Sequence, residues 1–271
     1  MNSLDEYRIR QGLDIFIVPD FAQNILKCDP RQIQHELETS YPVRGAGDSI
    51  QSGQVQWVDG DNAALKYRGN VLKRGKIWLQ RSDTRTGWLR YGYTGWQWNV
   101  LQATASLSKC KEMEPVADNY DMWASSIGFP AANHYIVTKY RDGQHNIGMH
   151  SDKVADIHPD SLITVVKTGK CGRMFQISEQ DGIPFFSQEL QPGTAVIMTV
   201  EANLKTKHGV PVVEHAESSG SIVFRTIKTI LKPEKVFKEV AKRRRTEESD
   251  DDDDDVPLSV LTKRMRGEGR A

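Results

Sequence analysis

The chemistry legible in this chain lies in His150, Asp152 and His208, followed by Arg225. On an extended strand, residues two apart project to the same face, so His150 and Asp152 can reach one point together. A second imidazole arriving from a distant strand completes two nitrogens and one carboxylate oxygen on one side of a metal. That set suits non-haem Fe(II) and leaves positions open for a cosubstrate and dioxygen. His-x-Asp alone occurs by chance in many proteins; the order of all four residues, each in strand-like sequence, is the stronger signal. His215 competes for the distal role, ten residues before Arg225, but it lies among Glu214, Glu217 and Ser218 in a loop-like stretch. His208 follows an apolar strand and precedes Gly209-Val210-Pro211, so it is the better ligand. Arg225 sits among Ile222, Phe224 and Ile227, and a buried guanidinium needs an anion: the carboxylate of a keto acid, or a structural salt bridge.

The elements that must position these residues are short strands separated by turns. Tyr135–Tyr140, Leu162–Lys167, Arg173–Ile177, Thr194–Val200 and Ser221–Ile230 read as strands, bounded by Asp-Gly, Gly-Lys and Pro-Gly punctuation. Such spacing argues for a sandwich or jelly roll, with the ligand-bearing stretches meeting at its mouth. Upstream, Ile15–Val18 reads as an opening strand. Asp29 and Pro30 start a helix to Glu38, and Val116, Tyr120, Trp123 and Ile127 recur at helical spacing until Gly128 and Pro130. Residues 45–60 read as a loop. Leu65–Val100 is rich in Trp, Gly and Arg and reads as hairpins.

With 271 residues and 38% hydrophobic content, the chain can bury one sizeable core. No run approaches the roughly 20 apolar residues that span a bilayer, so no membrane partner is expected. The first ten residues lack the apolar core of a secretory signal, and Cys28, Cys110 and Cys171 have no metal-site spacing, so an intracellular protein with reduced thiols is expected. Of the 36 basic and 36 acidic residues, ten and eleven lie from Pro233 onward, leaving 26 against 25 before it. Affinity for nucleic acid must then come from local patches. Residues 1–12 are expected to be flexible. Residues 233–271 form a charged tail unable to bury apolar surface, in which Lys242, Arg243, Arg244 and Arg245 precede Asp250 to Asp255. The basic block has the form of a nuclear-import signal for an import receptor; a solubilising tail is the plainer alternative.

The residues resemble the AlkB-like family of Fe(II)- and 2-oxoglutarate-dependent dioxygenases over most of residues 13–230. Leu13 to Phe21 is similar to the family's first strand and helix start. Tyr91-Gly92-Tyr93-Thr94-Gly95 resembles its Tyr-x-Tyr-Ser-Gly segment. Phe129 to Asp152 matches the run into His-x-Asp, Gly193 to Pro211 the stretch bearing the second histidine, and Ser221 to Arg225 the last strand. The resemblance implies a mainly β fold, a double-stranded β-helix (jelly-roll) barrel of residues 133–230 backed by N-terminal helices. Residues 65–100 would form a substrate-covering lid, all within a domain of residues 13–232. It implies His150, Asp152 and His208 as iron ligands, dioxygen and 2-oxoglutarate as cosubstrates, and Tyr140, Thr138, Ser221 and Arg225 around the keto acid. Two positions depart from the family pattern. Ser219 stands where an arginine is usual, and Thr138 where asparagine is common.

The activity implied is oxidative removal of methyl groups from nucleic-acid bases, with formaldehyde and succinate as products. Tyr91, Tyr93 and Trp96 would stack on an extruded base and Arg81 would meet phosphate, the plainer alternative being a packed β-layer with solvated charges. The rivals are hydroxylation of a protein side chain or of a base without demethylation, and a non-catalytic reader of methylated nucleic acid. DNA and RNA, single or double stranded, are not distinguished.

Overall fold

In the computed structural model, residues 4–44, 48–58, 66–67, 70–71, 74–91, 98–180, 182–214 and 216–232 are described. The charged tail, Tyr93, Trp96 and His215 lie outside them. Ten strands and three helices position the site: β1 (Ile15–Val18), α1 (Pro30–Ser40), β2 (Gly75–Gln80), α2 (Met113–Ser126), β3 (His134–Tyr140), β4 (Ile147–His150), β5 (Leu162–Gly169), β6 (Arg173–Glu179), β7 (Phe186–Leu190), β8 (Ala195–Thr199), α3 (Val200–Lys205), β9 (Thr206–Val210) and β10 (Ser219–Arg225). No helix among the described residues is long and apolar enough to cross a membrane.

Two sheets result. The larger, of nine strands, runs β1-β8-β5-β10-β3-β2 and continues into the short strands Trp57–Val58 and Val43–Arg44. The smaller runs β4-β9-β6-β7. Chain connections from β3 to β10 cross between the sheets at every step except the β6–β7 hairpin within the smaller sheet, which is the jelly-roll path. The expectation of a barrel needs one correction: the two sheets face each other as separate hydrogen-bonded ladders and do not close into a ring.

Alternation along each strand decides which sheet face holds what. Outward, Ile77, Leu79, Tyr135, Val137, Ile222, Phe224 and Val166 form one buried cluster with Ile33 and Leu37 of α1 and Val116 and Tyr120 of α2. The Tyr120 ring stacks on Phe224 at 4.3 Å and its hydroxyl bonds the Thr164 hydroxyl at 2.9 Å, so even the polar tip is satisfied. Asp29 caps α1 as expected, its carboxylate accepting from the Arg31 amide at 2.7 Å, with Pro30 at the first helical position. Inward, Ile15, Val165, Val196 and Met198 meet Phe175 and Ile177 of the smaller sheet. This second core leaves one end open.

Three expectations change. The segment 65–100 is not a lid throughout: β2 is buried along its whole length and pairs with β3 over six residues. The last strand stops at Arg225 rather than running to Ile230, and Ile230–Leu231 turns away to pair with Trp88–Leu89. β7 was not foreseen, because three of its five residues are exposed and polar and it lacks an apolar run.

Candidate metal centre and its cavity

Antiparallel register brings the ligands together. His150 on β4 lies directly across from His208 on β9, with ring centroids 4.5 Å apart. Asp152 follows two residues beyond His150, and its Oδ1 lies 3.7 Å from His150 Nε2. One ligand atom from each of the three residues falls within 4.8 Å of the others. His150 Nδ1 lies 2.9 Å from the Gly148 carbonyl, a contact that makes Nδ1 the donor and leaves Nε2 for a metal. His208 stacks on Phe175, ring centroids 5.9 Å apart.

The chain leaves the strand after His150, so something else must hold Asp152. Asn203 of α3 does so: its side-chain oxygen accepts from the Asp152 amide at 2.8 Å and its amide nitrogen donates to the Asp152 carbonyl at 2.9 Å. Ser151 adds a bond from its hydroxyl to the Thr206 carbonyl. Asn203 is fully buried, and reading the sequence missed it; the only local signal was an asparagine a few residues before His208. The arrangement ties α3, β9 and the His-x-Asp turn into one unit.

Electrostatics suit a divalent cation. Burial by itself would raise the Asp152 carboxyl, but Arg225 and the two imidazoles outweigh it and hold the group below the usual carboxylate range. Burial pushes His208 down to about 3 and also lowers His150, in each case against the pull of Asp152. Two neutral imidazoles and one ionised carboxylate are the state a metal ligand set requires.

A cavity of about 510 Å³ opens over these ligands. Its floor is the inner face of the larger sheet. Lys76, Thr138, Ser221 and Lys167 lie in one row across β2, β3, β10 and β5, because each is the register partner of the next. Tyr140, Thr138 and Ser221 all line the cavity. Tyr91 lines it too, but as a fully buried wall residue rather than an exposed stacking platform, its ring lying 4.3 Å from the Arg225 guanidinium carbon.

Two arginines have protein partners that the sequence did not name. Arg225 Nε and one terminal nitrogen both donate to Asp152 Oδ2, at 3.0 and 2.7 Å, with both side chains buried. The guanidinium therefore braces one of the three candidate metal ligands. Arg81 does not line the cavity: it pairs with Asp118 and Asp121 of α2 at 3.0 and 2.6 Å, while its Nε bonds the Tyr135 hydroxyl. Sequence spacing could not show that α2 presents two carboxylates to it.

Several solved structures match the chain at low identity. One of OsALKBH1 is 13% identical, covers 80% of this chain and 98% of its own, and has a TM-score of 0.44. A 2OG-Fe(II) oxygenase family oxidoreductase from Burkholderia pseudomallei is 13% identical, covers 86% and 95%, and scores 0.46. A Trichoplax adhaerens prolyl hydroxylase bound to a hypoxia-inducible-factor peptide fragment is 9% identical, covers 84% and 87%, and also scores 0.46. No curated protein matches. The family profile described as 2OG-Fe(II) oxygenase superfamily matches residues 49–245, which contain the facing histidines, the aspartate and the cavity floor. The chain belongs to that superfamily, with Fe(II), 2-oxoglutarate and dioxygen as its metal and cosubstrates.

Proposed function

We propose that the protein removes methyl groups oxidatively from nucleic-acid bases. The observation that carries this reading is the charge of the cavity. Arg74, Lys76, Lys153, Lys167 and Arg225 line it, and Asp152 is the one carboxylate among the described lining residues. Arg225 is matched by Asp152 and the oxo acid brings its own negative charge. Arg74 and Lys153 then remain as further cations of the cavity lining, which suits a polyanion. Tyr93 and Trp96, aromatic residues in a Gly-punctuated segment, support the same reading from sequence.

The protein's own contribution is positional. His150, Asp152 and His208 present the metal, Asn203 and Arg225 fix the aspartate, and Tyr140, Thr138 and Ser221 shape the floor beneath the oxo acid. When bound, Fe(II) and 2-oxoglutarate would supply the oxidation with dioxygen as the oxidant, one oxygen atom going to the succinate formed by decarboxylation of the oxo acid and the other to a substrate C–H bond. An N-hydroxymethyl product would then release formaldehyde, while the apolar walls keep water from the reacting centre.

The test is mass balance with the iron-loaded protein, using methylated and unmethylated oligonucleotides, DNA and RNA. Formaldehyde and succinate released in equal amounts only with methylated strands is the expected result, with Tyr93→Ala binding those strands more weakly. Succinate rising with a peptide instead, without formaldehyde, would mean side-chain hydroxylation. Binding without succinate would mean a reader. Nuclear import through Lys242, Arg243, Arg244 and Arg245 is proposed from sequence alone, and loss of nuclear retention in a fusion carrying all four as alanine would test it.

A further inference from the structure

Lys167 is almost wholly buried, 1% exposed, on the inner face of β5, and its ammonium has no hydrogen-bond partner among the described residues. It lies 5.4 Å from the centre of the Tyr140 ring, and the Arg173 guanidinium carbon lies 5.7 Å from the same ring. Arg173 is engaged by the backbone carbonyls of Asp142, Gly143 and His145. No carboxylate among the described residues pairs with the Lys167 ammonium, although a buried charge ordinarily has an anion beside it. On the next row of the same face, Ser219 Oγ is also buried without a hydrogen-bond partner. Two buried polar groups thus sit next to Tyr140 on this inner face, Lys167 in the cavity lining and Ser219 just beyond it, neither with a hydrogen-bond partner among the described residues.

Arg225 cannot serve that corner. It is four residues along β10 from Ser221, the register partner of Lys167, which is about 13 Å of strand. Two of its donors already converge on Asp152. The two cations therefore mark opposite ends of the floor, one at the metal ligand and one remote from it.

We propose that Lys167, rather than Arg225, holds the far carboxylate of the 2-oxo diacid. The short side chain of Ser219 leaves room for the lysine arriving from the neighbouring strand. Gly169 permits the close approach of β5 to β10 there: its φ is +96°, and a Cβ on it would lie 2.6 Å from Ser219 Cα. Burial, with Arg173 nearby, draws the free ammonium down to about 7, and a bound carboxylate reverses that by supplying the missing opposite charge. The site would then prefer a five-carbon diacid over the same 2-oxo acid lacking its terminal carboxylate. This rests on the superfamily's cosubstrate and is independent of the substrate proposed above.

The experiment measures binding with Mn(II) in place of iron, on the full chain, by calorimetric titration of 2-oxoglutarate and of 2-oxopentanoate. The parent is expected to bind the diacid more than about tenfold tighter. Lys167→Met should erase that preference and leave 2-oxopentanoate binding and Mn(II) affinity unchanged; Lys167→Arg should restore part of the preference. Without ligand, Lys167→Met should melt no lower than the parent, because it removes a buried charge that lacks a partner, and with Mn(II) present 2-oxoglutarate should raise its melting temperature no more than 2-oxopentanoate does. A purely structural lysine would instead lower the melting temperature when removed and leave the preference intact, which would overturn the proposal alone. A parent that bound neither oxo acid would overturn the cosubstrate assignment with it.

Discussion

Arg225→Met tests whether this arginine braces an iron ligand. Both side chains of the Arg225–Asp152 pair are nearly inaccessible, at 6% and 3% exposed, and two guanidinium nitrogens meet one carboxylate oxygen. Removing one partner of such a pair leaves a buried charge uncompensated, at about 3–5 kcal/mol. For a folded unit of this size each kcal/mol shifts the melting temperature by about 2–4 °C, so the metal-free variant should melt roughly 6–20 °C lower. Metal changes the sign of the comparison. A divalent cation replaces the lost positive charge, so Mn(II) should raise the melting temperature of Arg225→Met by more than it raises that of the parent. The double variant Arg225→Met/Asp152→Asn, with both charges gone, should recover most of the metal-free loss. Thermal melts of all three proteins, with and without Mn(II), read every quantity. A metal-free Arg225→Met that melted with the parent, or a metal shift no larger than the parent's, would refute the bracing role.

Among the ligands, His150→Ala and Asp152→Ala should both abolish turnover and Mn(II) binding, but Asp152→Ala should also melt lower than His150→Ala because it strands Arg225; equal melting of the two would contradict this. Lys167 should imprint the pH dependence of the ligand-free protein. Its folded value of about 7 lies below the ordinary 10.5, so its penalty is absent above the ordinary value and complete below the folded one. The melting temperature of the parent relative to Lys167→Met should therefore rise from about pH 7 towards 10, and parallel curves would exclude that origin. Gly169→Ala should destabilise by more than the roughly 1–2 kcal/mol of a left-handed non-glycine residue, since its Cβ would also collide with Ser219, as a melt would show. Arg81→Ala should leave oligonucleotide affinity and its salt dependence unchanged, since its guanidinium is engaged by Asp118 and Asp121, whereas a flatter salt slope would restore it as a phosphate contact.

Much of this was written locally. Asp29-Pro30 starts a helix because cap and fixed φ act within one turn, and alternation along β3, β5 and β10 reveals strands because pleating is a period-two property. His150 and Asp152 were recognisable as a ligand pair for the same reason: two residues apart on one extended segment. What local pattern could not supply was pairing across the chain. Asn203 clamping Asp152 spans 51 residues, Arg225 reaching Asp152 spans 73, and the approach of Arg81 to α2 spans 37. The arginine was expected to seek an anion, and it does, but sequence could not say which. By itself, the sequence determined most of the strands, the start of α1 and the identity of a possible iron triad, because these follow from spacing and side-chain type. Only the tertiary structure decided that Arg225 faces the metal ligand while Lys167 is left at the far end of the floor. Register between β5 and β10 sets that separation, and register is a property of strands packed together, not of any one of them.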